Sequence, residues 1–93
     1  MPGILQRLRN KITDRAYYLS SHAEEDMRDD RLDREDVEHA ILKGKIQKKL
    51  TADLRGPRYR LEGPSKRGRP IHVVCRLDEE NQLRIITVYA LGT

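Results

Sequence analysis

The chain has no tryptophan and no phenylalanine, and its four tyrosines are its whole aromatic complement. A ring-rich core is therefore excluded, and a surface on which many successive bases stack is poorly served. The single cysteine, Cys75, rules out an internal disulfide and any CxxC centre. No apolar run approaches the roughly 18 residues of a membrane span, and none has the character of a secretory h-region. The expectation is a protein without membrane contact, in the reducing cytoplasm. HxxxH spacing, a Walker-type glycine loop, a GxSxG elbow and a dinucleotide fingerprint are all missing. His72 and Cys75, three apart on a strand, would point to opposite faces, so no metal site and no cofactor is expected.

What is present is charge, and it is divided. From Lys43 to Arg76 eleven Lys/Arg stand against two acids, whereas from Ser21 to Leu42 nine acids stand against three arginines. A surface split this way carries a positive potential on one side, suited to a polyanion such as RNA. At 93 residues the chain makes one domain (1–93), with a thin core of Leu, Ile, Val, Ala and some of the tyrosines.

Ile4, Leu8 and Ile12 recur every four residues and mark a first helix within 1–15, with Arg7, Lys11 and Arg15 as a basic stripe beside them. Ser21 followed by Glu24 has capping-box spacing and opens a short helix with Ala23 and Met27 inward and His22 in its first turn. Asp33 is the expected N-cap of another helix, Leu32 and Val37 form its hydrophobic staple, and Gly44 stops it as a C-prime residue. From Lys45 onward the period changes from about four to two. Strands are expected over 45–50, 58–62, 71–77 and 83–90, joined by a basic loop at 63–68 and an acidic one at 78–82. The fold class that follows is α+β, with N-terminal helices packed on one face of a C-terminal, mainly antiparallel four-stranded sheet.

Alternation sorts the strands into faces. Tyr59, Leu61, Ile71, Val73, Cys75, Leu77, Ile86, Val88 and Ala90 belong under the helices. Arg58, Arg60, His72, Val74, Arg76, Ile85, Thr87 and Tyr89 belong to the open face. RNA cleavage without metal needs a base for the 2′-hydroxyl, an acid for the 5′-oxygen and fixed cations around the phosphate. Arg58, Arg60 and Arg76 can hold a phosphate, with Arg69 reaching in from the basic loop beside Lys66 and Arg67, because guanidinium forks match phosphate oxygens. Tyr89 can stack a base or pass a proton, and His72 is the histidine that alternation places best. His22 stands in a first helical turn among acids, and His39 looks structural. Against this, surface arginines are usually solvated, so a non-catalytic protein-interaction or nucleic-acid-binding module on the same fold is the alternative.

The order of parts carries a resemblance. Ser21-His22-Ala23 opens a helix, a capped helix runs from Asp33 to Gly44, Tyr59 is flanked by arginines, and Arg69-Pro-Ile-His-Val-Val and Ile85-Ile-Thr-Val-Tyr89 follow. Over residues 17–90 this resembles uncharacterised small bacterial proteins related to the RelE and BrnT toxins. The resemblance implies a RelE-like fold, an antitoxin partner and metal-independent endoribonuclease activity. It implies functional positions at His22, at Arg58 or Arg60, at Arg69 and at Tyr89.

Overall fold

A computed structural model describes residues 3–51 and 54–92. Three helices, α1 (Ile4–Thr13), α2 (Ser21–Asp29) and α3 (Arg34–Lys43), pack on one face of a sheet. The strands are β1 (Tyr17–Leu19), β2 (Lys45–Leu50), β3 (Arg58–Pro64), β4 (Pro70–Leu77) and β5 (Leu83–Ala90). Their order across the sheet is β1-β5-β4-β3-β2; β1 runs parallel to β5 and every other pair is antiparallel. The α+β class with helices on one face is as expected, but the sheet has five strands and is mixed. Three residues of β1 are too few for alternation to register.

Leu8 and Ile12 of α1 are buried, as their spacing requires. Arg9 fixes the angle at which α1 docks: its Nε donates to the Ile41 carbonyl (3.0 Å) and its Nη2 to that of Gly44 (2.6 Å). A cation thus covers the negative end of α3. The N-cap of α2 is Ser20 rather than Ser21. Ser20 still has extended backbone angles, and its hydroxyl accepts from the Ala23 N–H (3.0 Å) while donating to the Ile86 carbonyl (2.9 Å). For α3 the reciprocal capping box between Asp33 and Asp36 is complete, and Leu32 and Val37 are buried beside it.

Gly44 does not stop α3 through a left-handed turn, since its φ is −91°. Its value is closeness. A Cβ at Gly44 would overlap the Ala40 and Glu62 carbonyls, and one at Gly63 would overlap the Ala40 backbone. These two glycines let α3 lie directly on β3.

Tyr59, Leu61, Ile71, Val73, Cys75 and Val88 fill the covered face. One pair is exchanged relative to strict alternation: Ile85 is fully buried, whereas Ile86 is only partly so. The cause is a bulge. Val74 pairs with Thr87 but Cys75 pairs with Ile85, leaving Ile86 as an extra residue on β5. Before the bulge, Leu83 and Ile85 therefore face the helices and Arg84 faces the other way.

Candidate active site on the open sheet face

The register of β3, β4 and β5 places Glu62, His72 and Tyr89 in one cross-strand row. The His72 ring joins its neighbours. Nε2 lies 3.0 Å from Glu62 Oε1, and Nδ1 lies 3.0 Å from the Tyr89 hydroxyl. The two rings meet edge to face, with centroids 5.2 Å apart. A carboxylate can only accept, so in the neutral ring Nε2 carries the hydrogen and Nδ1 accepts from the phenol. Although no helix covers this face, His72 is only 7% exposed, because Glu62 and Tyr89 close over it. Such a row can take a proton at the Tyr89 oxygen, pass the phenol's own proton to His72 and stabilise the resulting imidazolium with Glu62.

Cations lie at the β2 end of this row and along one side of it. Lys45 is opposite Glu62, and in the adjoining row Lys48 is opposite Arg60, whose Nε donates to Gln47 Oε1 (2.6 Å). Farther along, Arg76 is directly opposite Arg84, and Arg84 is opposite Tyr18. The Tyr18 hydroxyl donates to Asp78 Oδ2 (3.1 Å), and partial burial together with that carboxylate raises its pKa. Asp78 in turn is held below the usual carboxylate range, first by the N–H of Gln82 and then by the Tyr18 hydroxyl, the Glu80 N–H and the charge of Arg76. Arg58 opens β3 at the same end of the sheet.

The candidates divide. Arg60, His72, Arg76 and Tyr89 share the open face with Arg58. Arg69 does not reach it: its Nη1 donates to the Asp30 carbonyl (2.6 Å) at the end of α2. Lys66 and Arg67 line a cleft with Arg31, Leu32, Asp33 and Asp36, beside the α2–α3 junction. The Lys66 N–H is bound to Asp36 Oδ1 (3.0 Å), so the whole turn leans toward the helices. His22 stands on α2 beside Asp26 (3.5 Å), largely exposed and on a different element from the row. His39 is bonded to the Pro64 carbonyl (2.9 Å), in keeping with a structural part.

Two members of the face escaped sequence reasoning. Glu62 alternates with Leu61 and shares the phase of Arg58 and Arg60, a signal that was available. Arg84 was hidden by the bulge, for which the consecutive Ile85-Ile86 is the only local sign. Two acids on the helical side serve the sheet. Asp26 Oδ2 accepts from the Val88 N–H (3.3 Å) and Asp30 Oδ2 from the Ala90 N–H (2.8 Å), satisfying the edge of β5 beyond β1. Among the described residues no cluster of three or more His, Cys, Asp or Glu could hold a metal ion. No helix among them is long and apolar enough to cross a membrane.

The family model of a domain of unknown function, DUF4258, matches residues 19–90. The chain belongs to that family. No curated protein and no solved structure matches it. The DUF4258 span holds α2, α3 and strands β2 to β5, and with them the whole Glu62–His72–Tyr89 row; α1 lies outside it.

Proposed function

We propose that this DUF4258 protein is the toxin of a toxin–antitoxin pair, a metal-independent endoribonuclease of RelE/BrnT-like fold that acts in the cytoplasm and is restrained by an antitoxin protein. The single observation that supports this reading best is the hydrogen-bonded Glu62–His72–Tyr89 row beside Arg60. In the proposed reaction the RNA 2′-oxygen attacks the adjacent phosphorus as its proton passes to Tyr89, whose own proton moves to His72. The bond from phosphorus to the 5′-oxygen breaks, leaving a 2′,3′-cyclic phosphate. The departing oxygen takes a proton from water, and His72 later returns its own to solvent. Arg60 stabilises the charge that grows on the phosphate, and Arg58 and Arg76 bind the RNA farther along the face.

A binding module without catalysis is the second reading. It is favoured by the burial of His72 and the occupation of both its ring nitrogens, which would suit a purely structural row.

The test is RNA mixed with the protein in EDTA, with and without ribosomes. Wild type is expected to leave cyclic-phosphate ends, and Tyr89→Phe to cut about 100-fold more slowly or worse. Arg60→Ala should also slow cleavage. If wild type cuts RNA in neither setting, the nuclease proposal fails. Salt-sensitive retention of RNA together with harmless overexpression would then speak for the module.

A further inference from the structure

Arg76 and Arg84 are directly opposite one another on β4 and β5. Like charges in that position repel, and a sheet carries them at a cost to stability. Asp78 offsets only part of that cost, since the charge of Arg76 acts on its carboxylate. Arg84 Nε is buried without a hydrogen-bond partner among the described residues, and Arg76 is only 8% exposed. The hydrogen-bonding capacity of Asp78 is already engaged: Oδ1 accepts the N–H groups of Glu80 and Gln82 (both 2.9 Å), and Oδ2 accepts the Tyr18 hydroxyl. Glu79, Glu80 and Arg55 line the cleft beyond Asp78, and Tyr18 borders Arg84 from β1. Two guanidiniums opposite one another on the open face form a natural seat for one tetrahedral dianion or phosphodiester.

Its place on the sheet matters as much as its charge. Arg76 lies four residues from His72 along β4, roughly 13 Å at the rise of an antiparallel strand, and both side chains face the same way. That gap exceeds one nucleotide step, so a phosphate at Arg76 and Arg84 cannot be the one acted on beside Tyr89.

We infer that Arg76 and Arg84 form a second phosphate subsite, which grips the backbone of a single-stranded polynucleotide away from the reacting phosphate. The inference rests on the RNA-cleaving reading for its purpose, but its binding can be measured without any cleavage. It makes the substrate an extended oligonucleotide rather than a dinucleotide.

The probes are a 2′-O-methyl hexauridylate, which lacks the attacking hydroxyl, and the corresponding dinucleotide, with affinity read by fluorescence anisotropy. Arg84→Gln should weaken the hexanucleotide roughly tenfold, the loss expected for a charge-assisted hydrogen bond, and leave the dinucleotide unchanged. Arg84→Lys keeps the charge without the fork and should lie between. Arg7→Gln on the exposed side of α1 should bind as wild type does. In wild type the Arg84 Nε–H resonance should shift on adding the hexanucleotide, which reads the contact without a substitution. The subsite is overturned if Arg84→Gln binds like wild type, if Arg7→Gln loses as much, or if wild type does not bind the probe. Binding with all these signatures, but no cutting of RNA with or without ribosomes, sustains the subsite and removes only the nuclease reading.

Discussion

The two faces of one sheet have opposite chemistry, although alternate residues of the same strands supply both. Under the helices, Leu61, Ile71, Val73, Ile85 and Val88 are completely buried, and so is the Cys75 thiol. On the reverse, Glu62, His72 and Tyr89 bond to one another, and Arg60, Arg76 and Arg84 stand beside them. Burial has a different origin on each side. Helices exclude water from the first; on the second, His72 and Arg76 are buried by their own long neighbours, with no layer above them. A group can thus be desolvated and still be within reach of a large ligand.

The contrast breaks most sharply under large-to-small substitution. Leu61→Ala should cost about 2–5 kcal/mol in denaturant titration, because α3 rests on β3 through glycine and cannot settle into the space. Equivalent truncation on the open face, Val74→Ala, should cost clearly less, since Val74 is only partly buried. An equal loss at both positions would remove the distinction between the faces.

Titration sharpens it next. Burial pushes the Cys75 pKa from 9.0 up to about 12. Across that window the unfolded thiol has ionised while the native one has not, so the native state holds more protons and its stability falls as pH rises. Cys75→Ser would complicate packing; Cys75→Ala should instead flatten this alkaline loss, read from melting temperatures at stepped pH. Native Cys75 should also resist iodoacetamide at neutral pH, reacting only as fast as the protein unfolds.

A smaller effect has the opposite sign. Although burial would raise the Asp36 pKa, the N–H groups of Asp33 and Lys66 hold it below 3.8. The contribution is present above the unfolded value and is lost as pH falls through the depressed one. Asp36→Asn should therefore cost about 1 kcal/mol at neutral pH, the worth of a helix cap, and less in acid.

The smallest expected change is at Arg84. Arg84→Gln removes a repelling charge and a donor without a partner among the described residues, so its melting temperature should equal or slightly exceed that of wild type. A marked destabilisation would mean that this arginine serves the fold.

The helical half was readable because its signals are local: Asp33 and Asp36 cap within four residues, and Leu8 and Ile12 repeat at one turn. The open face was readable only up to the bulge. Arg58, Arg60, His72 and Arg76 keep strict phase, whereas one extra residue on β5 turned Ile85 inward and brought Arg84 out. The basic turn was misleading for another reason. Lys66, Arg67 and Arg69 follow β3 closely in sequence, but their partners Asp36 and the Asp30 carbonyl lie on the helical side, a tertiary fact with no local sign. The short parallel β1 was illegible because pairing with β5, rather than its own pattern, defines it.

The histidine ring resonances offer the most direct measurement of whether the open face is the RNA site. On titration with the uncleavable hexauridylate, His72 should shift with Tyr89, while His39, held to the Pro64 carbonyl, should not move. Shifts confined to His22, His39 and the turn at Lys66–Arg69, with His72 unmoved, would contradict the account.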